Sequence, residues 1–157
     1  MRRIEVIKNL MKEITNELVV TSAGRISREV YFVRDRHENF YVQGSLGATV
    51  GIGIGLALSL PEKEIVIIAG DGDILINLDN LVLLNKLQKN GLKNIKLFIL
   101  DNNKYQSTGG QDTCSDAIDF RLLCDCKVIF CGDSMVDVPR IKIKHEFIKE
   151  RFMEAIK

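Results

Sequence analysis

Residues 65–111 read IVIIAGDGDILINLDNLVLLNKLQKNGLKNIKLFILDNNKYQSTGGQ. An apolar run, Ile65-Val66-Ile67-Ile68-Ala69, breaks at Gly70-Asp71-Gly72. A helical pattern follows from Ile74 to Lys89, with Asn90-Gly91 as its stop, and a second apolar run, Ile95 to Leu100, breaks at Asp101-Asn102-Asn103. Short apolar runs joined by a helix-length crossover predict buried parallel strands. Open α/β sheets keep their ligands just past the C-terminal ends of such strands. Asp71 and Asn102 stand at two of these ends, so neighbouring strands would bring a carboxylate and an amide oxygen to one crevice. Hard oxygen donors there suit Mg²⁺, which fills its remaining octahedral positions with water or substrate phosphate. Gly72 lets the backbone turn tightly, so that amides opening the next helix approach an anion. Each tripeptide alone favours an ordinary turn or loop; the pair, behind successive strands, reads as a metal–diphosphate site.

Upstream, Ile4, Ile7, Leu10, Met11, Ile14 and Leu18 share one helical stripe, which predicts a surface helix from Ile4 to Leu18. Val19-Val20-Thr21-Ser22 predicts a short strand, Ala23-Gly24-Arg25 a turn, and Arg28 to Arg34 a helix capped by Ser27. Phe40-Tyr41-Val42 is the next strand and ends in Gln43-Gly44-Ser45-Leu46-Gly47. Leu46 to Leu60 carries no charge and is short for a membrane span of about 20 residues. Gly47, Gly51 and Gly55, four apart, strip one helix face for close packing, which predicts a buried central helix at a subunit contact. The same run invites a dinucleotide-binding loop. However, Gly51, Gly53 and Gly55 lie deep inside it and spell GxGxG without the GxxG continuation.

Downstream, Lys104 to Gln111 is a polar, glycine-bearing loop placed to close over a ligand. Asp116 to Cys126 predicts a short helix, Val128-Ile129-Phe130 a strand and Ile141 to Lys144 an edge strand. A last helix, His145 to Lys157, would turn Phe147, Ile148, Phe152 and Ile156 inward. The expected architecture is a three-layer α/β domain over residues 1–157, with a mostly parallel sheet flanked by helices. Of the 157 residues 46% are apolar and 27% charged, with 22 basic against 21 acidic. That balance leaves no electrostatic footprint for nucleic acid or anionic membrane. The first residues lead into an amphipathic helix rather than a signal sequence, and a cytoplasmic protein is expected. Cys114, Cys124, Cys126 and Cys131 lack the paired CxxC spacing of zinc sites and are expected as reduced thiols.

Gly70-Asp71-Gly72 followed after 29 residues by Asn102 resembles the motif of the thiamin-diphosphate-dependent enzymes. The resemblance implies that Asp71, Asn102 and the backbone carbonyl of Lys104 hold Mg²⁺, and that Gly70, Gly72, Asp73 and Tyr105 belong to the cofactor site. Gly44-Ser45-Leu46-Gly47 is similar to the family's G-S-hydrophobic-G turn. Leu46 is then the wedge that bends the cofactor, and the Gly44 carbonyl accepts from the pyrimidine amino group. Thr21 to Gly24, Ser27 to Glu29, Arg34 to Arg36 and Tyr105 to Gln111 resemble the phosphonopyruvate and sulfopyruvate decarboxylases. Some members of this family are split into two chains, and the sulfopyruvate enzymes serve coenzyme M biosynthesis. The likeness implies a diphosphate-binding β subunit, with an α subunit carrying the pyrimidine-binding domain and the activating Glu. The implied substrate is a small anionic 2-oxo acid, with Arg25, Arg28, Ser107, Thr108 and Gln111 as candidate contacts. Another split thiamin enzyme, acetolactate-synthase-like or an oxidoreductase, and a non-enzymatic diphosphate-binding module are the alternatives.

Overall fold

The computed structural model describes residues 1–134 and 136–157. The helices are α1 (Arg3–Glu13), α2 (Arg25–Val33), α3 (Thr49–Ser59), α4 (Asp71–Ile76), α5 (Asp79–Lys89) and α6 (His145–Ala155). The strands are β1 (Leu18–Thr21), β2 (Asn39–Tyr41), β3 (Ile65–Gly70), β4 (Ile95–Asp101), β5 (Lys104–Tyr105), β6 (Gln111–Asp112) and β7 (Lys127–Phe130). Five of them form one sheet in the order β2-β1-β3-β4-β7, and every pairing in it is parallel. β5 and β6 make a separate two-residue hairpin. The α/β expectation holds.

The apolar runs explain the layers, because successive side chains of a strand point to opposite faces. Ile65, Ile67 and Ala69 pack beneath Val50, Ile54 and Ala57 of α3 and Leu81 and Leu84 of α5. Val66 and Ile68 face Val6, Ile7 and Met11 of α1 and Ile26 and Val30 of α2. Helix α6 wraps the β2 edge, with Phe152 in the first cluster and Ile148 in the second. Both faces of the central strands are therefore dry, which is why they read as unbroken apolar runs.

Several expected boundaries moved. The first helix stops at Glu13 and Leu18 opens β1, because Glu17 turns back to accept from the Thr15 amide at 2.7 Å and holds a turn there. Helix α2 begins at Arg25 with Gly24 as its cap at φ 89°. Ser27 therefore lies inside the helix rather than capping it, and its hydroxyl donates to the Ser22 carbonyl at 2.7 Å. The crossover is two helices, not one. It breaks at Asn77, whose side-chain amide donates to the Gly47 carbonyl at 3.1 Å.

Residues 116–126 form two short 3₁₀ turns instead of a helix, and 141–144 form no strand. Phe147 faces outward, 52% exposed. Helix α3 is buried on one side only, with Gly55 and Leu58 exposed. No helix among the described residues is long and apolar enough to cross a membrane, and their four cysteines are free thiols.

Candidate cofactor site

Adjacent parallel strands fix the site. Gly70 of β3 lies opposite Leu100 of β4, so the residues that follow each strand emerge side by side. Asp71, 2% exposed, places Oδ1 3.5 Å from the Asn102 backbone amide, while its Oδ2 accepts from the Thr113 hydroxyl at 2.5 Å. Burial pushes the Asp71 carboxyl above its ordinary range, and the neighbouring Asp101 charge adds to this against the Thr113 bond. An under-neutralised buried carboxylate with one weakly engaged oxygen suits a cation.

The Asn102 side chain is oriented by a residue that sequence reading missed. Its amide nitrogen donates to Asp133 Oδ1 at 2.7 Å, which leaves Oδ1 as the acceptor, 3.4 Å from the Lys104 amide. Asp101 accepts from the Asn103 amide at 2.9 Å and the Ser115 hydroxyl at 2.7 Å, tying down the turn. Asn103 takes φ 53° there, a left-handed conformation that asparagine tolerates better than most side chains. Thr113, Ser115 and Asp133 carry no motif in the sequence; only folding brings them to Asp71 and Asn102. Partners that orient a metal ligand are typically worth 10–100-fold in affinity. Asp133→Ala is therefore expected to weaken divalent-cation binding here at least tenfold, measured by calorimetric titration with Mg²⁺, with little change in melting temperature.

A cavity of about 90 Å³ lies over these strand ends, and it brings together Arg25, Leu46, Gly70, Asp71, Gly72, Asp73, Asn102, Lys104, Tyr105, Ser107 and Thr108. Four predicted residues lie outside its lining. Gly44 and Arg28 line a neighbouring cavity, Ser45 is exposed, and exposed Gln111 is engaged within its own loop, accepting from Thr108 at 3.1 Å. Leu46 is 43% exposed, an apolar side chain in the lining of this cavity. Gly44 and Gly47 sit at φ 73° and 90°, so the turn that presents Leu46 needs glycine at both places.

Asp73 has a different task from a diphosphate-facing group. Its side chain is 3% exposed and accepts from the Gly47 amide at 2.8 Å, bracing the Leu46 turn against α4. Its second oxygen and the neighbouring Thr49 hydroxyl have no hydrogen-bond partner among the described residues. Gly72 is required for space: a Cβ there would meet the Tyr105 ring at 2.6 Å. Backbone and ring thus close one wall of the cavity.

No cluster of three His, Cys, Asp or Glu side chains exists among the described residues. That suits a magnesium ion held by one carboxylate, one amide and a carbonyl, with phosphate oxygens supplying the rest. The donor set and the glycine-walled cradle fit a magnesium–diphosphate group.

Comparison with known proteins agrees with this geometry. The family model "Thiamine pyrophosphate enzyme, C-terminal TPP binding domain" matches residues 22–121. The sulfopyruvate decarboxylase subunit beta of Methanococcus maripaludis is 36% identical, over 99% of this chain and 97% of that protein. The phosphonopyruvate decarboxylase of Streptomyces viridochromogenes is 36% identical over 87% of this chain, which spans 34% of that protein. The X-ray structure of a protein from Mycobacterium smegmatis described as thiamin diphosphate-dependent superposes with a TM-score of 0.61. At 16% identity, over 85% of this chain and 32% of that one, it is similar in fold. The chain belongs to the thiamine pyrophosphate enzymes and, within them, to the family of the sulfopyruvate decarboxylase β subunits.

Proposed function

We propose that this chain is the diphosphate-binding subunit of a two-chain sulfopyruvate decarboxylase, releasing CO₂ and sulfoacetaldehyde. One observation carries the reading: likeness to a β subunit over 99% of this chain and 97% of that protein, supported by a cavity that gathers Asp71, Asn102 and Lys104 at neighbouring strand ends. No glutamate lines either of the two cavities at the strand ends, which supports a partner α subunit as the source of the pyrimidine-binding domain and its activating Glu. The exposed Leu46, Leu58, Ile76, Val82 and Leu83 offer apolar area for that contact.

When bound, thiamin diphosphate supplies the electron sink that decarboxylation of a 2-oxo acid requires. This chain's residues hold and orient. Asp71 Oδ1, Asn102 Oδ1 and the Lys104 carbonyl would hold Mg²⁺; the amides opening α4 at Gly72 and Asp73 would take phosphate oxygens. Leu46, braced by Asp73 through Gly47, would set the bend of the cofactor, and the Gly44 carbonyl would orient its amino group. The hairpin of β5 and β6, with Ser107 and Thr108 at the cavity, would exclude water.

The test is decarboxylation by the chain co-purified with its partner, with sulfopyruvate, phosphonopyruvate and pyruvate run side by side in Mg²⁺ and thiamin diphosphate. The expected result is CO₂ release from sulfopyruvate, and none from the chain alone. Release from phosphonopyruvate instead would favour the Streptomyces-like reading. No release with cofactor bound would move the assignment to another split thiamin enzyme or a binding module.

Cofactor binding should also depend on pH. Asp71 must be ionised to ligate the metal, and its pKa lies above the ordinary carboxylate value. Affinity should therefore be full at neutral pH and fall as pH drops, beginning above the range in which an exposed aspartate titrates. Titrations of Mg²⁺–thiamin diphosphate from pH 8 downward would check this; an affinity that falls only where an exposed aspartate titrates would remove Asp71 from the metal.

A further inference from the structure

The second cavity, of about 240 Å³, lies beside the first and is lined by Gly24, Ser27, Arg28, Gly44 and Arg140, among others. The two cavities adjoin across the first turn of α2: Arg25 borders one and Arg28, three residues on, borders the other. Arg140 comes from the segment after β7, so the pairing of the two arginines is visible only in three dimensions. We infer that Arg28 and Arg140 form an oxyanion subsite that holds the sulfonate end of the substrate while its 2-oxo acid end lies over the first cavity. This rests on the reaction proposed above and adds the group that selects the substrate.

Charge balance carries the inference. Arg25, Arg28 and Arg140 crowd one corner, and the carboxylate that pairs there is Asp137, its side chain 98% exposed and 3.5 Å from Arg25 Nη1. Among the described residues the side chains of Arg28 and Arg140 make no hydrogen bond or ion pair, whereas Arg25 has Asp137. Burial first, then repulsion from Arg140 and Arg25, pushes the Arg28 guanidinium below its usual value. A guanidinium does not lose its proton in a protein, so such crowding is relieved by an anion. Planar donor forks arriving from a helix and from a distant segment suit a tetrahedral oxyanion with three free oxygens. A substrate bearing a second acid two bonds from its ketone matches two adjoining cavities of this kind. Pyruvate, with no distal acid, would leave the guanidiniums unpaired, which is how a polar site rejects an analogue lacking the recognised group.

The experiment has two arms. In the first, inorganic sulfate is titrated calorimetrically into the full chain; Arg28→Ala and Arg140→Ala should each weaken binding at least tenfold, with Arg140→Lys intermediate. In the second, the chain with its partner is assayed on sulfopyruvate and pyruvate. The preference for sulfopyruvate in kcat/KM should shrink at least tenfold in either alanine variant, while thiamin diphosphate affinity stays within threefold. Unchanged sulfate binding and preference would overturn the proposal. So would loss of thiamin diphosphate affinity, which would make these diphosphate contacts, or loss of partner association, which would make them docking residues for partner carboxylates. If the wild-type pair releases no CO₂ from sulfopyruvate but the sulfate arm succeeds, the reaction assignment fails and the oxyanion site stands.

Discussion

Asp71→Asn is expected to abolish Mg²⁺-dependent binding of thiamin diphosphate, by at least 100-fold, while leaving the metal-free fold as stable as before. The first effect follows from the donor set. Asp71 would be the charged ligand at the strand ends, with Oδ1 turned toward Asn102, and Mg²⁺ held by few protein oxygens depends on carboxylate charge. The second follows from burial. The Asp71 carboxyl is 2% exposed and raised in pKa, which means that its ionised form is disfavoured in the folded chain.

The linkage sign is definite: folding stability contributed by this group is highest when it is protonated and falls as pH rises through the window between its unfolded and folded values. A neutral amide of the same shape removes that cost. Calorimetric titration and melting curves at pH 7 would measure both effects. Retained metal-dependent binding would remove Asp71 from the site, and a large fall in melting temperature would mean that Asp71 is chiefly structural.

Arg3→Ala is expected to be strongly destabilising, at about 3–5 kcal/mol, and Arg3 also lines the cavity at the strand ends. At a few degrees per kcal/mol for a chain of this size, the melting temperature should fall by roughly 10 °C. Arg3 is 3% exposed and Glu29 1%. The guanidinium donates through Nε and Nη2 to the two oxygens of Glu29 at 3.0 and 2.7 Å, and through Nη2 to Gln106 Oε1 at 2.7 Å. Removing Arg3 strands a buried carboxylate between α1 and α2 and frees the loop that carries Tyr105. Replacing both partners, Arg3→Met with Glu29→Leu, should recover much of the stability, because no buried charge is then left alone. It should not recover Gln106, so hydrogen exchange in residues 105–108 should stay faster than in the wild type. An Arg3→Ala variant that melts like the wild type would contradict the burial of this pair.

The site was legible where chemistry and local geometry coincide. Gly70-Asp71-Gly72, Asn102 and the Gly44–Gly47 turn each combine a strand end with a residue whose backbone or side chain has one use there, and the structure brings Asp71, Asn102 and Leu46 to one cavity. Residues whose importance lies in their partners were not legible. Asp133 orients Asn102 from 31 residues away and Thr113 holds Asp71 across 42; Gln106 looked like part of a closing loop and proves to be pinned by Arg3. Asp73 could be placed near the diphosphate from its motif, but its side chain is turned to the Gly47 amide.

By itself the sequence determined the parallel α/β sheet, the order of its central strands along the chain, and which strand ends meet at one cavity. Period and punctuation are local properties: a dry strand needs an unbroken apolar run, and the turn after it needs glycine, aspartate or asparagine. Only the tertiary structure decided where helices stop, as at Glu13 and Asn77, which termini face solvent, and which distant charges meet. Those outcomes depend on contacts between segments far apart in the chain. Nothing in the residues near Arg28 signals Arg140, and nothing near Arg3 signals Glu29.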